Sequence, residues 1–126
     1  MDENQIGDIF VSSAIEVHRE LGPGLLESVY EVVLTDLLSE RGLQVQRQVP
    51  VPIEFRGKIF SEGFRADLIL NRTVIIEIKS VETLNNAHKK QVLTYLKLMD
   101  LKLGYLANFS ADLMKNGLKR IINGQI

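Results

Sequence analysis

The chain has 126 residues, of which 45% are hydrophobic and 25% charged, and its 15 basic and 16 acidic side chains give a net charge of −1. This composition excludes disorder, collagen-like repeats and a coiled-coil rod, and the absence of cysteine excludes disulfides and thiolate chemistry. We expect a single domain over residues 1–126. Because the N-terminus is acidic and no apolar run could span a membrane, we expect a cytoplasmic location.

Two helices are predicted before any strand. Residues 3–21 carry apolar side chains at helical spacing, and residues 25–41 do so again after a Gly-Pro-Gly break. Gly42 is predicted to cap the second helix. The apolar stripe predicted for that helix consists of Leu26, Val29, Tyr30, Val33 and Leu37.

Alternation of apolar and polar residues predicts strands at residues 45–55, 64–70 and 73–79, the first interrupted by Pro50 and Pro52. A third helix is predicted at residues 85–100, followed by strands at 103–109 and 118–122. The resulting order, ααβββαβ(β), predicts an α/β domain in which helices flank a mixed β-sheet.

Charged residues interrupt two of these strands, where buried strands are expected to be apolar. Alternation places Glu77 and Lys79 on one face of their strand. With a two-residue turn before that strand, Asp67 would lie on the wrong face from Glu77. A three-residue loop over residues 71–73 instead pairs Leu70 with Val74 and sets Asp67 directly opposite Glu77. We predict this longer loop or an equivalent bulge.

Strict alternation also predicts which residues of the earlier strand share a face. Asp67 lies on one face, and the opposite face carries Phe64, Ala66, Leu68 and Leu70.

Opposed carboxylates repel each other, and a divalent cation is the favoured reason for such a pair, since hard oxygen ligands suit Mg²⁺ or Mn²⁺. Lys79 would add a positive charge able to orient a water nucleophile and stabilise a developing phosphorane. Asp67, Glu77 and Lys79 thus indicate metal-dependent phosphodiester hydrolysis. The competing interpretation is that Glu77 and Lys79 form a surface ion pair and that Asp67 is a solvated charge.

Two helical segments add candidates. Glu27, at the start of the second helix, either complements the helix dipole or supplies a third carboxylate to the metal. Gln91 and Tyr95 lie four residues apart on one face of the third helix, which directly follows the strand with Glu77 and Lys79. Gln91 could therefore hold Lys79, a water or a phosphate, the alternative being an ordinary half-buried helix face.

Four motifs taken together resemble those of a known family. G-x-x-E-x-x-Y at residues 24–30, R-A-D at 65–67, E-I-K at 77–79 and Q-x-x-x-Y at 91–95 resemble the small GxxExxY proteins of the PD-(D/E)XK nuclease superfamily. The resemblance extends over about residues 9–123 and includes GYLANF at 104–109 and the basic GLKR at 117–120. One departure is Ala66, which stands where the superfamily's name has proline.

The resemblance implies a restriction-endonuclease-like core with the site at a splayed strand pair. The metal ligands that it implies are Asp67, Glu77, the main-chain carbonyl of Ile78 and, in addition, Glu27. It further implies Lys79 as the catalytic lysine, and it matches Gln91 and Tyr95 to the superfamily's fourth motif, so that Gln91 joins the catalytic set.

The near-zero net charge conceals a split between the two halves of the chain. Residues 1–63 carry 5 basic and 11 acidic side chains, whereas residues 64–126 carry 10 basic and 5 acidic ones. The basic half contains the predicted site, and we expect Arg65, Lys89, Lys90 and Tyr95 to contact nucleic acid.

These observations predict a Mg²⁺- or Mn²⁺-dependent nuclease acting on DNA through a metal-bound water. The alternative is a non-catalytic nucleic-acid- or protein-binding module, or an accessory subunit, that retains the nuclease fold. We expect no separate specificity domain in a chain of this size, which leaves room for a homodimer or a larger partner protein.

Overall fold

Seven strands and four helices follow one another in the computed structural model of the chain, which describes residues 1–126. The helices are α1 (Glu3–Leu21), α2 (Glu27–Glu40), α3 (Asn86–Met99) and α4 (Met114–Gly117). The strands are β1 (Val45–Pro50), β2 (Ile53–Phe55), β3 (Lys58–Phe60), β4 (Arg65–Leu70), β5 (Val74–Lys79), β6 (Leu103–Asn108) and β7 (Leu118–Ile122). None of the helices is both long and apolar enough to cross a lipid bilayer.

The predicted order of elements is confirmed, and the structure adds to it a short hairpin and a one-turn helix. The first strand of the hairpin, β2, lies at the end of the strand predicted over residues 45–55, and β3 follows that predicted strand. The hairpin forms because Arg56 and Gly57 both take left-handed backbone angles, with φ of 51° and 78°, which suits a tight two-residue turn. The added helix, α4, lies between β6 and β7.

Five strands form one mixed sheet in the order β1-β4-β5-β6-β7. β5 and β6 are parallel, as expected for strands joined by a helix, and every other neighbouring pair is antiparallel. The β2–β3 hairpin forms a separate two-stranded sheet. Helices α1, α2 and α4 cover one face of the large sheet and α3 covers the other. This arrangement is the restriction-endonuclease-like α/β architecture that the sequence predicted.

The apolar stripe predicted for α2 is correct in three of its five members. Leu26 is 73% exposed, whereas Tyr30, Leu34 and Leu38 are fully buried against the sheet. Of the predicted stripe, Tyr30, Val33 and Leu37 pack against the core, the last two partly buried, whereas Val29 is exposed like Leu26. α2 carries apolar residues on two faces, so its periodicity does not distinguish the face that packs on the sheet. The helix ends one residue before its predicted limit. The predicted glycine cap is confirmed, since Gly42 follows the cap residue Arg41 with a φ of 90° and donates to the Ser39 carbonyl at 3.1 Å.

Candidate active site

The register of β4 against β5 confirms the predicted three-residue loop. Leu70 pairs with Val74, and residues 71–73 form the connection. Asn71 and Arg72 take left-handed angles, with φ of 50° and 55°, and the Thr73 N–H donates to the Leu70 carbonyl at 2.9 Å. Since pairing counts outward from Leu70 and Val74, this register sets Asp67 opposite Glu77.

The ladder between β4 and β5 stops just before it reaches these two acids. Its last pair is Leu68 with Ile76, and beyond it side chains replace backbone partners. The Asp67 N–H donates to Glu77 Oε1 at 3.2 Å, and the Ile78 N–H donates to Asp67 Oδ2 at 2.8 Å. The two carboxylates therefore hold the strands together where the strands cease to pair, which makes this the splayed strand pair of the prediction.

Side-chain alternation along β4 shifts at the same point, which corrects the strict alternation predicted for this strand. Leu68 and Leu70 pack in the core beneath α1 and α2, but Ala66 packs in the core beneath α3. On the neighbouring strand β1, Gln48 has a φ of 51° and does not pair, although the residues on either side of it do. A backbone distortion of this kind rotates the strand locally, so period two no longer holds across Asp67.

Glu77 is buried, with 3% of its surface exposed. Burial, and secondarily the charge of Asp67, raises the pKa of Glu77 to about 9, against smaller opposing effects of the Asp67 backbone hydrogen bond and of Lys79. The carboxyl is consequently protonated at neutral pH. Neither of the two ion pairs in the structure involves Glu77 or Lys79, so the alternative of a surface ion pair between them is wrong.

A cavity of about 230 Å³ opens on the α2 side of Asp67. The residues that line it are Glu27, Ser28, Glu31, Gln48, Asp67 and Ile78. Three predicted site residues therefore share one cavity, whereas Glu77 does not line it and is joined to them by its hydrogen bond with Asp67. Asp67 is thus the link between Glu77 and the cavity.

Glu27 reaches this cavity because Tyr30 fixes the loop before α2. The Tyr30 hydroxyl donates to the Gly22 carbonyl at 2.5 Å and accepts from the Leu25 N–H at 3.2 Å. The carboxylate of Glu27 then accepts from the Ser80 N–H at 2.8 Å, just beyond β5. The spacing G-x-x-E-x-x-Y thus has a structural reason, since the tyrosine anchors the loop that places the glutamate.

Two further residues that line the cavity, Glu31 and Gln48, were not predicted. Gln48 Nε2 donates to Glu31 Oε1 at 2.6 Å and to Asp67 Oδ1 at 3.2 Å, and Arg47 forms an ion pair with Glu31 at 2.9 Å. Glu31 lies four residues after Glu27, on the same face of α2, and that spacing was a usable signal. Nothing in the sequence pattern marks Gln48.

The predicted residues of α3 lie on the opposite side of the sheet from the cavity. Tyr95 is buried against the ring of Phe64, at 5.5 Å between ring centroids. Burial raises the pKa of Tyr95 to about 12, with further contributions from the charges of Glu77 and Asp67. Gln91 is half-buried and does not line the cavity. Three predicted nucleic-acid contacts, Arg65, Lys89 and Lys90, are exposed.

The oxygen atoms of the candidate site are of the type that binds a hard divalent cation, but their positions match a metal site only in part. Asp67 contacts Glu77 and shares the cavity with Glu27. All three side chains carry the oxygen atoms that Mg²⁺ and Mn²⁺ prefer as ligands. No three or more acidic or histidine side chains converge as a metal site. The set fits an ion held by one or two carboxylates, with water completing its coordination, as is common for Mg²⁺.

The family model of the PD-(D/E)XK nuclease superfamily matches residues 4–121, a span that contains every motif of the predicted site. No curated protein matches the sequence. The narrower assignment to the GxxExxY proteins stays a prediction.

Proposed function

Because the chain belongs to the PD-(D/E)XK nuclease superfamily, we propose that it is a nuclease that hydrolyses phosphodiester bonds of DNA with Mg²⁺ or Mn²⁺. The observation that supports this most is the placement of Asp67 opposite Glu77 where the β4–β5 ladder ends. A buried acid opposite a half-buried one at a break in a sheet is costly for stability, and such a cost is typical of functional sites.

In this proposal the cation would be held by Asp67, Glu77 and the main-chain carbonyl of Ile78, with Glu27 as an additional ligand. When bound, it supplies positive charge that stabilises the transition state and activates water. Lys79 forms no ion pair within the chain, so its ammonium is free to orient the water and to stabilise charge on the phosphate.

A second candidate is a nucleic-acid- or protein-binding module without catalysis, or an accessory subunit. It is favoured by the hydrogen bonds that Asp67, Glu77 and Glu27 each accept from backbone N–H groups. In this case those bonds are the whole role of the three acids. Asp67 and Glu77 close the gap between the splayed strands, and Glu27 joins α2 to the residue that follows β5. The absence of a converging group of three acids agrees with it.

A cleavage assay separates the two candidates. Single- and double-stranded DNA, with RNA as a third substrate, would be incubated with the wild type in Mg²⁺, Mn²⁺ or EDTA, beside Asp67→Asn and Lys79→Ala. We expect metal-dependent cleavage of DNA that falls on the order of 100-fold or more in both variants, as for loss of one transition-state contact. The exposed residues Asp100 and Lys97 provide matched controls as Asp100→Asn and Lys97→Ala, which should cleave like the wild type.

Calorimetric titration with Mn²⁺ completes the test. If the protein is a nuclease, the wild type should bind the ion and Asp67→Asn should bind it more weakly. Circular dichroism must show that both proteins are folded. No cleavage of any substrate together with no heat of metal binding would support the binding module instead. The cytoplasmic location and the homodimer or partner protein stay predictions.

A further inference from the structure

The β2–β3 hairpin has two faces of different chemistry. Cross-strand partners share a face, and the pairs are Ile53 with Phe60, Glu54 with Ile59 and Phe55 with Lys58. Alternation along each strand then divides the hairpin. We call one side the aromatic face, which consists of Ile53, Phe55, Lys58 and Phe60. The other side carries Glu54 and Ile59.

The side with Glu54 and Ile59 is turned towards α3. Both residues line a cavity of about 350 Å³ together with Pro52, Lys97 and Leu98. The aromatic face consequently points away from α3. On it, Phe55 is 62% exposed and Phe60 is 43% exposed, although large aromatic side chains are seldom left in solvent.

Positive charge accompanies these rings. The Arg56 guanidinium, at the turn, lies 5.3 Å from the centre of the Phe55 ring, and Lys58 pairs with Phe55 across the hairpin. No carboxylate belongs to the aromatic face, since Glu54 is on the opposite side. Exposed aromatic rings interleaved with cations are the chemistry that binds the bases and phosphates of a single strand.

The hairpin projects from the end of the sheet that carries the candidate site. It is inserted between Pro50 and Arg65, the terminal pair of β1 and β4. Gln48 and Asp67 lie two residues inside that pair on the two strands. A strand bound along the hairpin would therefore have a short path to Asp67.

We propose that the aromatic face of the β2–β3 hairpin binds single-stranded nucleic acid, with unpaired bases stacked on Phe55 and Phe60 and phosphates contacted by Arg56 and Lys58. Bases inside a duplex are stacked on one another and cannot offer their faces to these rings, which is why the bound form is single-stranded. The inference rests on the proposed function and specifies the form in which the substrate is held.

The test is the affinity of a fluorescently labelled oligo-dT, measured by anisotropy in EDTA so that no cleavage occurs. Phe55→Ala should weaken binding about 5- to 100-fold, the range that the loss of one stacked base produces. Phe55→Tyr should keep the affinity of the wild type, because a tyrosine ring also stacks on bases. The matched control is Ile59→Ala, which truncates a 72% exposed apolar residue on the other side of the same hairpin and should leave the affinity unchanged.

The salt dependence tests the two cations. Replacing both as Arg56→Gln and Lys58→Gln should reduce the slope of log affinity against log salt concentration by about 1.4, since each single-strand phosphate contact contributes about 0.7. Glu54→Gln, on the side turned towards α3, should not reduce the slope. Oligo-U in place of oligo-dT shows whether the face distinguishes RNA from DNA.

Several results would overturn the inference. Unchanged affinity in Phe55→Ala and Phe60→Ala would do so, as would equally hairpin-dependent binding of a blunt duplex. So would a change in sedimentation without a change in affinity, which would mark the face as a protein interface. If binding depends on the hairpin but the wild type cleaves no substrate, only the proposed nuclease is refuted. If the wild type cleaves DNA but the hairpin variants bind as well as it does, only this inference is refuted. If the wild type binds no nucleic acid, both fail.

Discussion

Replacing Glu77 by glutamine should make the protein more stable at neutral pH, although it removes a residue of the candidate site. Glutamine has nearly the shape of glutamic acid, and its amide oxygen can still accept from the Asp67 N–H, as Glu77 Oε1 does. The difference is that glutamine never ionises. The wild type must either keep Glu77 protonated or bury its charge.

The expected gain in stability follows from the pKa of Glu77, which is about 9 in the folded protein against 4.5 for an ordinary glutamate. Because the raised pKa lets the folded state hold its proton more tightly than the unfolded state, the contribution of Glu77 to stability is complete below pH 4.5 and is lost as pH rises towards 9. Each pH unit in this window costs the folded state about 1.4 kcal/mol. Over the interval from pH 4.5 to pH 7 the loss amounts to about 3 kcal/mol.

Urea denaturation, followed by circular dichroism at several values between pH 5 and pH 8, measures this loss as a difference between wild type and Glu77→Gln. The difference should grow from under about 1 kcal/mol at pH 5 to about 3 kcal/mol at pH 7 in favour of the variant. Glu82→Gln, at an exposed position, should show no such growth. If Glu77→Gln and the wild type had parallel pH profiles, Glu77 would be ionised in the folded protein and the argument from its burial would be refuted.

Three further substitutions, measured by the same denaturation assay, test a loop anchor, a close contact between sheet and helix, and a helix cap. Tyr30→Phe should cost about 1–2 kcal/mol, because it removes both hydrogen bonds of the hydroxyl while keeping the ring; an unchanged stability would contradict its role as loop anchor. Gly104→Ala should cost about 1–3 kcal/mol, since its Cβ would lie 2.8 Å from Val92 Cγ1, and adding Val92→Ala should cost less than the sum of the two changes. Asn85→Ala should cost about 1 kcal/mol by removing the cap that accepts from the His88 N–H, and a neutral result would show that the cap does not stabilise α3.

Local patterns predicted most of the fold because they depend on near neighbours in the sequence. Helix α1 has the bounds that its periodicity predicted, residues 3–21, and β7 has the bounds predicted for the last strand, residues 118–122. The loop over residues 71–73 was also predictable, since only that length sets Asp67 opposite Glu77. The most deeply buried residues of α2 were predictable only in part, because they depend on which side of the helix meets the sheet.

The site itself was predictable in its acids and not in the backbone that arranges them. Alternation assumes that a strand stays regular, so it could not show that Ala66 packs beneath α3 while Leu68 packs beneath α1 and α2. The left-handed angle of Gln48 also has no sequence signal, since glutamine is not a residue that favours that conformation. Both features arise from tertiary pairing of β1 with β4.

The strained backbone at Gln48 has a consequence for how Asp67 can change partners. A non-glycine residue at positive φ costs of order 1 kcal/mol or more, and here that conformation accompanies a side-chain amide shared between Glu31 and Asp67. The two oxygens of Asp67 are not held equally, because Oδ2 accepts from the Ile78 N–H at 2.8 Å whereas Oδ1 accepts from Gln48 at 3.2 Å. Asp67 can therefore release Oδ1 to a ligand at the expense of its weaker contact, while the Ile78 bond keeps the carboxylate in place between the strands. The hydrogen bonds that satisfy Asp67 in the free protein are thus compatible with a carboxylate that also binds a ligand from the side of the cavity.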